Sequence, residues 1–101
     1  MVINEDARKI IEGAAVITLV TVNADGTPHP IIAGKGTVEG DNVIFGIYKM
    51  VATQENLQKD HHAWVVAGTK DDKPKGCRLS GTAVAKEKQL IFTASKAEQL
   101  I

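Results

Sequence analysis

Cysteine is almost absent from this sequence of 101 residues, with Cys77 the one copy. A single thiol excludes an intramolecular disulfide and any zinc site built on several cysteines. Aromatic side chains are nearly as scarce: Phe45, Tyr48, Trp64 and Phe92 are all there are. A surplus of either charge is lacking too, since 12 basic residues meet 12 acidic ones and the formal net charge is +0 at pH 7. Without a broad positive field, and without aromatics interleaved in a basic groove, an oligonucleotide-binding barrel is a poor fit. No apolar run approaches the roughly 20 residues that a membrane helix needs. The opening segment MVINEDARKI carries acids where a secretory signal has its apolar stretch. These absences lead to the expectation of a soluble, cytoplasmic, single domain over residues 1–101.

Apolar residues are plentiful, at 44% of the chain, which argues against intrinsic disorder. A chain this short buries only about 60–70% of its unfolded surface. With so few aromatics, the core must be built from Val, Ile, Leu and Ala. Small aliphatic cores of this kind gain stability from a second subunit or a bound ligand, and one or both are expected here.

Asn4 is placed to cap a helix whose first turn holds Glu5 and Asp6. Ala7, Ile10, Ile11 and Ala14 follow the spacing of one apolar face, and Gly13 ends the helix. Ala15 to Val22 is β-branched and too apolar for a surface strand. A turn at Asn23–Gly26 leads to a second strand from about His29 to Val38, in which Gly34 and Gly36 suggest a bend or a close backbone approach. After a turn at Glu39–Asn42, Val43 to Ile47 forms the third strand. Thr53 to Lys59 reads as a short helix with Thr53 at its N-cap. Ala63 to Thr69 is the fourth strand, Lys70 to Gly76 a charged loop, Leu79 to Ala85 a fifth strand curved at Gly81, and Gln89 to Ala94 the sixth. Ser95–Glu98 has the pattern of a capping box opening a final turn. The expected class is mainly β: a small antiparallel barrel of six strands, Greek-key-like, with a helix at the N-terminus and a short helix between strands three and four.

Few side chains suit catalysis. Cys77 next to Arg78 has no histidine in a partnering motif and reads as a packing residue. Ser80, in Leu-Ser-Gly-Thr, lacks the flanking glycines of a nucleophile elbow. His61 and His62 are adjacent, so on a strand they face opposite ways and cannot share a metal ion. No catalytic residue and no metal ligand is therefore assigned. Gly34-Lys35-Gly36-Thr37 lacks the helix of a phosphate loop, yet a Gly-rich bent strand lets a flat ligand lie against backbone. The junction GIYKMVATQENLQKD is more informative, because a helix start offers unpaired N–H groups and partial positive charge. Lys49, Thr53 and Gln54 add a cation, a hydroxyl and an amide there, a set suited to a phosphate.

The order ITLVTVNADGTPHP, hairpin, TQENLQKD, AWVVAG, CRLSGTAV resembles the pyridoxamine 5′-phosphate oxidase-like FMN-binding split-barrel family, over roughly Ala7 to Ala94. It is most similar to the small FMN-binding proteins of that family. The resemblance implies a six-stranded split barrel, a homodimer, and FMN in a groove at the subunit interface. It places Lys49, Thr53, Gln54 and Asn56 at the cofactor phosphate (with a neighbouring loop as the other partner open to Asn56), Gly34, Lys35 and Gly36 beside the isoalloxazine ring, and Arg78 and Ser80 across the dimer. Two departures stand out. Where the family often has a Lys-Thr pair, this chain has Ala52-Thr53, with Lys49 and Lys35 as substitute cations. Only Lys86–Gln89 joins the last two strands, where larger relatives carry an extra helix. The basic residues that bind substrate in true pyridoxamine phosphate oxidases have no counterpart, so vitamin oxidation is not expected. The implied function is electron or hydride transfer with an unidentified redox partner. The alternative is a non-catalytic split-barrel dimer whose degenerate groove takes another planar cofactor (haem, a deazaflavin) or none.

Overall fold

The computed structural model describes every residue from Met1 to Ile101 except Tyr48, Asp71 and Asp72. Helix α1 (Glu5–Gly13) forms as its capping residues dictate. Asn4 Oδ1 accepts a hydrogen bond from the Ala7 N–H at 2.8 Å, which satisfies one first-turn donor. Ala7, Ile10 and Ile11 are buried on its inner face, followed by Ala14. Glu12 ties the helix to the sheet: its carboxylate accepts from the Val38 N–H at 3.2 Å and from Arg8 Nε at 3.2 Å. These contacts, the Val38 amide first, hold the Glu12 carboxyl below its ordinary pKa.

Seven strands follow: β1 (Thr18–Val22), β2 (Pro28–Ile32), β3 (Thr37–Glu39), β4 (Asn42–Gly46), β5 (His62–Lys70), β6 (Pro74–Lys86) and β7 (Gln89–Gln99). Helix α2 (Val51–Lys59) lies between β4 and β5. The strands pair antiparallel in the order β2-β1-β5-β6-β7-β4-β3. The class is mainly β with two helices, as the sequence predicts, but there are seven strands and not six. The single strand expected from His29 to Val38 is two. Gly34, at φ +81, leaves the extended region. Gly36 lies so close over the core that an added Cβ would sit 2.8 Å from Val43 Cγ1 and 3.0 Å from Phe45 Cε1. The Ala33–Gly36 connection therefore crosses the core, and β2 and β3 become the two ends of the order. The pairings among the described residues give a seven-stranded antiparallel sheet with those two ends.

Two further expectations are corrected. Pro74 starts β6, a central strand, opposite Lys70. Its missing N–H is tolerated at the first position of a strand, so the expected charged loop contracts, with Asp71 and Asp72 outside the described residues. The helical turn expected at Ser95–Glu98 is strand. Lys96, Ala97 and Glu98 pair with Ser80, Leu79 and Arg78, and that ladder outweighs a local capping preference. The register slips between Ser80 and Gly81, which leaves Ser95 as the extra residue of a β-bulge. Ser95 Oγ donates to the Ser80 carbonyl at 3.1 Å. Gly81, where the sequence suggests a curved strand, stands at this register slip.

The core is aliphatic around two phenylalanines. Ile11, Ile17, Leu19, Val43, Phe45, Val65, Leu79, Leu90 and Phe92 have no exposed surface. Cys77 is buried within β6, and burial pushes its thiol pKa up. The native thiol is expected to be alkylated by the neutral reagent iodoacetamide far more slowly than the thiol of the urea-unfolded chain. Rapid reaction of the native protein would contradict this packing. Among the described residues, no helix is long and apolar enough to cross a membrane.

Candidate functional site

Helix α2 starts at Val51, two residues before the expected position. Met50 is its N-cap, with no side-chain hydrogen bond closing the helix. Thr53 is consequently in the first turn and is buried, at 1% exposed. The two helix starts differ in kind. The start of α1 is filled by its own Asn4 side chain and carries Glu5 and Asp6, whereas α2 has neither a side-chain cap nor an acid in its first turn. The N–H of Gln54 is taken by the Met50 carbonyl at 2.9 Å. Those of Val51, Ala52 and Thr53 have no intrahelical acceptor, because the helix supplies none at its first turn. Val51 and Ala52 are exposed. Lys49 precedes them with φ +68, in the left-handed region, and is exposed as well. Uncapped amides, a neighbouring cation and no carboxylate in the first turn make a donor set suited to an anion.

Asn56, one turn further on, is engaged within the chain. Its Nδ2 donates to Thr21 Oγ1 at 3.1 Å and to Asn23 Oδ1 at 3.0 Å. Thr21 is fully buried on β1, so this amide pins α2 to the sheet and fixes where the helix mouth opens. Sequence reasoning assigned Asn56 to a loop or the cofactor but could not name these partners. Asn56→Ala is expected to lower stability by about 1–3 kcal/mol, since it strands buried polar groups. Urea denaturation checks this, and an unchanged midpoint would show that the tie carries no weight.

The other expected site residues lie elsewhere. Gly34, Lys35 and Gly36 form the β2–β3 connection, where Lys35 is exposed and Gly36 packs near Ile17, Val43 and Phe45. Arg78 and Ser80 lie on the outward face of β6. Three elements, the β2–β3 connection, the start of α2 and the β6 face, therefore carry the expected constellation.

That outward face has its own chemistry. Paired residues of an antiparallel ladder share a face. One row reads Ile32, Thr18, Val66, Arg78, Glu98 and the next Pro30, Val20, Trp64, Ser80, Lys96. The inner row between them contains Leu19, Val65 and Leu79, all fully buried. Val20, Trp64 and Val66 are half-buried, and Ile32 is 65% exposed. A sheet face turned to water is ordinarily polar; this one is apolar at its centre and charged on one flank. Arg78 Nε and Nη2 donate to the two Glu98 carboxylate oxygens at 3.2 Å each. Each partner stabilises the charge of the other, raising the Arg78 pKa and lowering that of Glu98. Two of the three histidines are engaged: His62 Nδ1 lies 2.7 Å from Asp60 Oδ1, and His61 Nδ1 lies 3.3 Å from the Ala83 carbonyl.

An antiparallel sheet flanked by α1 and α2, with an uncapped helix start after β4, defines the class: a small mainly-β domain. The chain belongs to the pyridoxamine 5′-phosphate oxidase family, whose model matches residues 3–100. Solved structures share the fold. The H111A form of HupZ from Group A Streptococcus superposes with a TM-score of 0.81 at 15% identity, covering 99% of this chain and 100% of that one. An FMN-binding protein from Syntrophomonas wolfei gives a TM-score of 0.81 at 16% identity, over 96% of this chain and 85% of that one. A heme binding protein from Mycobacterium smegmatis gives 0.81 at 16% identity, over 95% of this chain and 52% of that one. At these identities the likeness is one of fold. No match was found among curated proteins.

Proposed function

We propose that the chain binds FMN as a homodimer and serves as an electron or hydride carrier. The observation that carries this reading is the uncapped, acid-free start of α2 in a chain of this family. The donor set fits a phosphomonoester. The Val51 and Ala52 amides would donate to its oxygens, with Lys49 adding positive charge and Lys35 a second cation from the β2–β3 connection. The helix dipole contributes about 0.3–1 kcal/mol to such an anion, and each charge-assisted hydrogen bond about 1.5–3 kcal/mol. The bound flavin would supply one- or two-electron chemistry at its N5 position. The residues of this chain bind and orient it, and none is asked to move a proton.

The dimer reading rests on the outward sheet face. Val20, Trp64, Val66 and Ile32 offer an apolar centre of the kind a two-fold partner covers. Arg78 and Ser80 lie on that face, where the second copy would meet them. A second reading, a haem or other planar cofactor in the same groove, is favoured by Ala52, which removes a cation where the family often has lysine, and by the haem-binding structure of the same fold.

Thermal melting with added ligands tests the proposal. FMN is expected to raise the melting temperature, and riboflavin, which lacks the phosphate, to raise it much less. Ala52→Asp, which puts a carboxylate at the helix mouth, should abolish the FMN effect without lowering the melting temperature of the free protein. Equal stabilisation by riboflavin, or stabilisation by haemin alone, would refute phosphate anchoring.

A further inference from the structure

A cavity of about 870 Å³ opens on the side of the molecule where α1 ends, beside the β5–β6 hairpin and the end of β7. None of the residues expected at the flavin lines it. Its apolar wall is made by Ile10, Ala14, Cys77 and Ala97. Small residues make the space: Gly13 and Ala14 end the helix, and Gly68 and Gly76 face each other across the β5–β6 ladder.

The rim is cationic. Lys9 from α1 and Lys70, Lys73 and Lys75 from the hairpin all line the cavity and are all exposed. Among the described residues none of these four lysines takes part in an ion pair. Among the described residues two acids also line it. Glu98 is committed to Arg78, which leaves Asp6 on the outer side of α1. Four ammonium groups without an ion pair among the described residues, set around an apolar wall, suit a ligand with an anionic head and an apolar body.

We infer that this cavity is a second ligand site, for a free organic anion with an apolar body such as a medium-chain carboxylate. The lysine rim takes the head group and the wall of Ile10, Ala14 and Ala97 takes the body. The site is independent of the flavin reading, and its test does not involve FMN.

The probe is sodium decanoate, titrated below its micelle-forming concentration into ¹⁵N-labelled protein and followed by amide chemical shifts. Saturable shifts are expected at Ala14, Gly76 and Ala97, and none at Val51 or Ala52. The double variant Lys9→Gln with Lys75→Gln, both at exposed positions, should weaken binding about fivefold. Decanol, which has the same chain without the charge, should bind at least about fivefold more weakly than decanoate on the same argument. Ala15→Trp, an exposed alanine on the cavity wall, should block binding while leaving amide shifts remote from the cavity in place. Absence of saturable shifts, shifts centred elsewhere, undiminished binding in either variant, or equal affinity for decanol would overturn the inference.

Discussion

Replacing Gly81 with alanine is expected to cost about 3 kcal/mol of stability, the upper end of what overpacking costs. The methyl group would overlap the Thr93 carbonyl oxygen and press on Ala94 Cα at 3.1 Å. Both are backbone atoms of β7, so no side chain can swing aside. Gly81 also stands at the register slip that makes the bulge at Ser95, where β7 stops pairing with β4 and continues along the first half of β6. Relief would need the two strands to part, and with them the ladders on either side. In a domain whose total stability is about 5–15 kcal/mol, that is a large fraction. Urea denaturation reads it directly. A loss below about 0.5 kcal/mol, the range of an ordinary surface substitution, would show that the bulge is free to adjust.

Ala52→Lys is expected to tighten FMN binding by roughly ten- to a hundredfold, as one charge-assisted contact of about 1.5–3 kcal/mol implies. Ala52 is exposed at the second position of α2, beside two first-turn amides and three residues after Lys49. A lysine there adds a charge within reach of the bound phosphate without displacing anything from the core. Riboflavin affinity should not change, because the added cation has no phosphate to meet. Flavin fluorescence titration separates the two ligands. A gain shared by riboflavin, or no gain with FMN, would place the phosphate elsewhere.

Local signals in the sequence were enough wherever the physics is local. Asn4 with Glu5 and Asp6 announces α1, and its apolar spacing gives the buried face correctly. The run Ala15–Val22 is too apolar for a surface strand, and its outward Val20, beside Trp64 and Val66 of β5, suggests a partner. Other features needed long-range pairing. Ser95–Glu98 has a good capping pattern, but the first half of β6 offers it a ladder, and the ladder prevails. Gly34 and Gly36 signalled a bend, though only their position over Val43 and Phe45 shows that it divides one strand into two. At the site, the junction after β4 is visible as a helix start, but Thr53 draws the N-cap three residues too late. The helix begins earlier because Thr53 and Leu57 are both needed inside. The Asn56 contacts reach back 35 residues to Thr21 and 33 to Asn23, beyond any local pattern. The lysine-rimmed cavity is assembled from α1 and the β5–β6 hairpin, which are distant in sequence and carry no shared motif.

In the proposed function a flavin is anchored through its phosphate at the mouth of α2. The purified protein, incubated with excess FMN and passed through a desalting column, tests it most directly by its visible absorption spectrum. A yellow protein fraction carrying equimolar FMN is expected, and a colourless one when riboflavin replaces FMN. A colourless fraction after FMN, or equal retention of the two flavins, would contradict it.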